Sequence, residues 1–219
     1  MDTRTAASRI VFIIATCLII SPAAKADILF DNYNGSFLTS ASPNWGCLVN
    51  GPDINCGSPH EQAIRFTVSS GGMYNGFYLT SVTVPLSLLD TWDCVPDPGH
   101  DVTVGVYTDV LGLPGSPVET ADVTVSCTDP TDATASFNGT TVLDDGVTYW
   151  VVLVGNINSN HIWSYPDPPV DTGSRRYRYG DGTLWKAGAD DPAVRVEGVP
   201  TGPVPVRVST WGQIKSLYR

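Results

Sequence analysis

Cationic side chains, long apolar runs and catalytic signatures are all scarce in this chain, and each shortage closes off a class of function. Lys and Arg number 12 against 22 Asp and Glu, a formal charge of −10. A surface that acidic repels a phosphate backbone, which is held by Lys and Arg displacing counterions, so nucleic acid is excluded as a partner. No two cysteines stand as C-x-x-C and the 3 histidines are scattered, which leaves no zinc-ligand spacing. No G-x-S-x-G elbow, H-E-x-x-H pattern, P-loop or dinucleotide glycine pattern occurs. The pairs His60-Glu61 and His100-Asp101, with His161, offer bases in unrelated segments. Only Glu61 and Glu119 precede Glu197. Paired carboxylates for glycoside hydrolysis are a spatial property and not a sequence one, so a glycan-active enzyme ranks third among the readings, and no catalysis is expected.

The one sustained apolar run, Ile10 to Ile20, is about half the ~20 residues a membrane-spanning helix needs. Arg4 and Arg9 precede it, and Pro22 and Ala24-Lys25-Ala26 follow. This is the pattern of a secretory signal peptide over residues 1–26, with cleavage leaving Asp27 first. Removing Arg4, Arg9, Lys25 and Asp2 from the totals leaves nine basic and twenty-one acidic residues, a formal charge of −12. The expected location is secreted or extracellular, with association at the cell surface and no span after cleavage. In an oxidising compartment the four cysteines beyond the signal read as disulfides, of which Cys47–Cys56 and Cys94–Cys127 are the favoured pairs among three connectivities.

With 21 Gly, 17 Pro and few helix-favouring runs, residues 27–198 read as one domain of short strands. Strands are predicted at Ile28–Asn32, Ala63–Val68, Phe77–Leu86, Val102–Thr108, Ala121–Ser126, Ala133–Phe137, Thr148–Val154, His161–Tyr165, Arg175–Tyr179 and Ala193–Val196. Asp144-Asp145-Gly146 marks a tight turn, read as the tip of a hairpin. Pro85 predicts a strand end or sheet edge, and Gly112 to Pro117 a rigid connection. Val147 to Val154 is apolar at nearly every residue and is read as a strand covered on both faces, with Trp150 in the core. The expected fold is an all-β antiparallel β-sandwich, jelly-roll-like, with a short C-terminal tail helix.

Several blocks in order, Ala63 to Val68, Tyr78 to Leu86, Val102 to Asp109 with Gly112 to Pro117, and Gly146 to Val152, resemble the choice-of-anchor R domain. Gly182 to Trp185 followed by Ala193 to Gly198 is similar to that family's closing strands. The resemblance implies an exported bacterial β-sandwich whose relatives carry different C-terminal surface-sorting signals, and it implies no catalytic residues.

Candidate sites follow from residue chemistry. Asp27, Asp31, Asn32 and Asn34 supply the hard oxygens that calcium takes, although the same residues make ordinary turns. Trp45, Trp92 and Trp185 sit among turn-forming residues where a ring can stack on a sugar. Arg175, Arg176 and Arg178 interleave with Tyr177 and Tyr179, a stripe suited to an anionic polysaccharide or phosphate, or to ion pairs with Asp167, Asp171 and Asp181. Residues 199–219 read as a Pro- and Gly-rich linker and a basic tail in which Trp211, Ile214, Lys215, Tyr218 and Arg219 suit a surface-sorting or docking partner. The tail has neither L-P-x-T-G nor Pro-Glu-Pro with an apolar span. The leading expectation is a non-enzymatic surface or extracellular domain with a binding or structural role, and the alternative is a carbohydrate-binding module with loop aromatics and structural calcium.

Overall fold

A computed structural model describes residues 25–33, 36–37, 46–51, 59–88, 101–125, 130–156, 159–180 and 184–202. Residues 1–24 of the expected signal peptide, Asn34, Trp45, Cys56, Trp92, Cys94, Cys127 and the tail from residue 203 lie outside them. The described strands are β1 (Asp27–Asp31), β2 (Gly46–Asn50), β3 (His60–Thr67), β4 (Gly76–Leu88), β5 (Asp101–Val110), β6 (Leu113–Thr124) and β7 (Thr131–Ser136). They continue as β8 (Val142–Asp144), β9 (Thr148–Gly155), β10 (Asn160–Ser164), β11 (Arg175–Tyr179), β12 (Lys186–Ala187) and β13 (Arg195–Pro200). No helix occurs among the described residues, and none is long and apolar enough to cross a membrane. β13 extends two residues past the expected linker boundary, and the Thr201 amide still donates to the Gly76 carbonyl at 3.0 Å.

All-β and antiparallel hold, but the sandwich and its jelly-roll variant are overturned. All 13 strands join one hydrogen-bonded sheet, with the path β1-β13-β4-β10-β2-β3-β9-β5-β6, curled as a half-barrel around the core. The 13-residue β4 makes this continuity possible. One of its edges carries β13 through Thr83 and then β10 from Leu86; the other carries β8 and then β7. Pro85 does not end the strand. It falls between the last residue paired to β13 and the first paired to β10, where the neighbours change.

Two further expectations fail for local reasons. Residues Asp144 to Gly146 do turn, with Gly146 at φ 76° and the Val147 amide bonded to the Asp144 carbonyl at 3.3 Å. The flanking strands part, however, β8 to pair with β4 and β9 to run between β3 and β5. The Tyr149 hydroxyl accepts from the Asp144 amide at 3.0 Å across the turn. The stretch Gly112 to Pro117 is not a connection, because β6 begins at Leu113. The turn is Leu111-Gly112, both at positive φ (55° and 79°), which suits a two-residue hairpin. Pro114 and Pro117 fit a strand because β6 closes the path as an edge.

The main core lies inside the curl, where Val82, Val84 and Leu86 of β4 meet Val102, Val104 and Val106 of β5 and Tyr149, Val151 and Leu153 of β9, with Trp163 fully buried among them. A second, smaller cluster of Ala63, Trp150 and Val152 packs on the opposite face. β9 is therefore covered on both sides, as its unbroken apolar sequence implied.

The disulfide expectation is also corrected. Among the described residues no Sγ–Sγ pair is at bonding distance, and Cys47 is a free thiol. On β2 it pairs with Trp163 of β10 and points into the main core. Burial pushes the thiol up to about 11. We expect Cys47 to resist labelling by thiol reagents until the chain unfolds. The thiol stays protonated in the fold while the unfolded thiol ionises near about 8.5. The unfolded chain thus binds fewer protons above that pH, and stability falls as pH rises toward about 11. Tyr33, raised to about 12 chiefly by burial, and Tyr165 act in the same direction. Denaturant titrations between pH 7 and 11 on wild type and Cys47→Ala check this, with the variant showing the shallower decline.

Candidate functional site

The basic-aromatic stripe is strand β11, and its neighbours turn it into a patch. Its register against β3 is Arg176↔Ala63 and Arg178↔Glu61; β3 sets Ala63 beside Val152 and Arg65 beside Trp150 of β9. β9 in turn sets Val152 beside Gly105 and Trp150 beside Tyr107 of β5. Alternate residues of a strand share a face, so Arg65, Arg176, Arg178, Glu61, Trp150 and Tyr107 stand together on the side away from the main core. Gly105 is required there. A Cβ on it would stand 2.6 Å from Tyr107 Cε2 and 2.9 Å from Thr120 Cγ2, so its absence lets the Tyr107 ring lie over its own strand.

Trp150 is 0% exposed although it faces away from the main core. Two guanidinium groups cover it, Arg176 with Cζ at 5.8 Å and Arg65 at 5.9 Å from the ring centroid. Its Nε1 donates to Asp109 Oδ1 at 2.7 Å. Trp185 packs beside this cluster with Arg178 Cζ 4.7 Å from its ring. Arg178 also holds Glu61 through Nη2 to Oε2 at 2.6 Å, both side chains partly exposed. Burial raises the Tyr107 hydroxyl above its usual range, Glu61 adds to that, and Arg178 opposes it.

The other side of the same ribbon is aromatic. Tyr179 meets His60 edge-on at 4.4 Å and Tyr177 at 5.2 Å, and Lys186 Nζ lies 5.2 Å from the Tyr179 ring. Arg175 is held by Gln62 Oε1 at 3.2 Å, the Tyr165 hydroxyl at 3.1 Å and the Ala189 carbonyl at 2.7 Å. Of the six Lys and Arg residues between Asp27 and Gly202, Arg65, Arg175, Arg176, Arg178 and Lys186 belong to this rim. The sixth, Arg195, is paired with Asp31 at 2.8 Å.

The structure sorts the remaining sequence candidates. Asp31 accepts from Arg195 and from the Tyr33 amide, and Asn32 bridges Pro192 and Val194. These oxygens fasten β1 to the segment leading into β13, and Asp27 is exposed at the start of β1. Among the described residues no three His, Cys, Asp or Glu side chains gather to hold a metal. Trp185 joins Arg176 and Arg178; Trp45 and Trp92 lie outside the described residues. The expected arginine partners differ as well. Arg178 takes Glu61 and not Asp167 or Asp171, and Asp181 lies outside the described residues. Sequence reasoning missed Arg65, Tyr107, Glu61 and Lys186 because strand pairing alone brings them to β11. Arg65, a cation inside an apolar strand, was the one signal present. No protein family, curated protein or solved structure matches the chain.

Proposed function

We propose that this chain is an exported, non-enzymatic domain that binds polysaccharide at or outside the cell surface, with the β3–β11–β12 rim as its binding surface. The observation that carries the reading is that five of the six cations between Asp27 and Gly202 lie along the β3–β11–β12 ribbon of an acidic domain, with Arg65, Arg176 and Arg178 beside Trp150 and Trp185 on one face. Interleaved rings and guanidinium groups suit a sugar polymer, the rings by stacking and the cations by hydrogen bonding. Export rests on the N-terminal signal pattern, and a surface location also on the resemblance to the choice-of-anchor R domain. The tail of Trp211, Ile214, Lys215, Tyr218 and Arg219 is the proposed docking element.

The reading is tested by a panel of neutral and acidic polysaccharides presented to wild type and to Trp185→Ala. Retention on at least one polymer, weakened about tenfold or more in the variant, supports it. No retention by wild type on any polymer, or retention indifferent to Trp185, overturns it.

A further inference from the structure

We infer that Arg65 and Arg176 form a clamp for one oxyanion of an acidic polysaccharide, a deepening that rests on the rim being the binding surface. The two guanidinium groups converge on a single buried ring, at 5.9 and 5.8 Å from its centroid. Arg176 is fixed there by Nη1, which donates to the carbonyls of Gly173 at 3.1 Å and Arg175 at 2.8 Å. Neither Arg65 nor Arg176 has a carboxylate partner among the described residues, whereas Arg178 has Glu61 and Arg195 has Asp31. The nearest acid to the ring, Asp109, is taken by the indole N–H and by the Gly112 amide at 3.1 Å.

Two like charges set against one ring repel each other, and an anion that bridges them relieves the repulsion. Guanidinium is built for that contact, since its planar fork donates two parallel hydrogen bonds to a carboxylate, sulfate or phosphate oxygen pair. An indole floor beneath the forks excludes water from one side, which strengthens the interaction relative to open solvent. Arg178 stands two residues along the same strand, about 7 Å away on the same face, but its Glu61 partner lowers its pull on anions. The site therefore takes a polymer that carries its negative charges singly. A nucleic acid backbone is a poor fit because the surrounding domain is acidic.

The experiment is titration calorimetry of the full chain with three probes: polygalacturonate, its fully methyl-esterified neutral form, and dextran sulfate. Proteins are wild type, Arg65→Gln, Arg176→Gln and the conservative Arg176→Lys, each with its melting temperature recorded and its mass in solution measured by sedimentation. Expected are binding to one acidic probe at least tenfold tighter than to the neutral form, weakening with salt, a loss of tenfold or more in each Gln variant, and a smaller loss in Arg176→Lys. Carboxylate and sulfate as the source are told apart by which acidic probe binds tighter. Equal affinity for neutral and acidic polymers overturns the clamp and leaves the rim as a neutral-sugar surface, whereas binding of no polymer overturns both readings. A wild-type dimer that Arg176→Gln dissociates also overturns it, since the basic rim then serves the acidic surface of a second copy. The Gln variants keep bulk and hydrogen bonding over Trp150. Should one of them melt early, Arg176→Lys carries the comparison, and unchanged acidic affinity in that variant overturns the bidentate clamp.

Discussion

Replacing Trp163 with alanine is expected to remove about 3–5 kcal/mol of stability, the usual loss when a fully buried aromatic is truncated. The ring is 0% exposed within the main core, and its Nε1 donates to the Ala193 carbonyl at 2.7 Å in a buried bond. The carbonyl lost to solvent and to its donor adds to the cavity, since an unpaired buried acceptor costs on the order of 1–3 kcal/mol. Domains hold only about 5–15 kcal/mol in total, so the variant should sit near the edge of folding. Urea titration monitored by far-ultraviolet circular dichroism measures the loss. Trp163→Phe separates the two contributions, because it retains most of the volume while deleting the donor. A loss below ~1 kcal/mol in Trp163→Ala contradicts the packing described for β10.

Trp150→Ala should be comparably damaging, about 3–5 kcal/mol, but with a different signature. This ring supports the small outer cluster and not the main core, and it carries Arg65 and Arg176 above it. Truncation removes the buried apolar area and the indole donor to Asp109 together. The two guanidinium groups then lose their floor. Trp150→Phe is expected to recover most of the stability, since a benzene ring still fills the space and presents a π face to cations. The paired measurement is urea unfolding for stability and calorimetry for acidic polymer. The Phe variant keeping both, and the Ala variant losing both, is the expected pattern.

Most strands were readable from local pattern because β-branched and aromatic residues bounded by Gly, Pro and Asp describe a pleated, half-buried surface wherever it lies. The unbroken apolar β9 announced its two-sided burial for the same reason. Sheet number was not readable. Alternation in β4 looks the same whether its neighbours form one curled sheet or two stacked ones, and only long-range pairing decides. The short β2 and β12 were missed because so few residues beside turns carry little periodicity, five in β2 and only Lys186 and Ala187 in β12; β8 was expected as a hairpin arm but its partner was not. Cys47 shows the weakness of counting. An even set after a signal-like segment favours disulfides, yet this thiol is a small apolar side chain filling space beside Trp163. Half of the candidate site was legible as Arg175 to Tyr179, a basic stripe in an acidic chain. The other half, Arg65 over Trp150 and Lys186 over Tyr179, is a product of register.

The pairing of β13 between β1 and β4 sets an order of events during synthesis. β1 opens the sheet at Asp27, but its partner spans Arg195–Pro200, so the N-terminal strand waits for almost the whole domain to be made. Until then β1 and the Phe77–Thr83 stretch of one β4 edge lack their β13 neighbour, and pairing over such sequence distances is slow. Closure of the sheet therefore follows only once the last strand has been made. The same delay leaves bare strand edges exposed while the chain waits, so this domain should depend on holding chaperones more than one whose terminal strands pair locally.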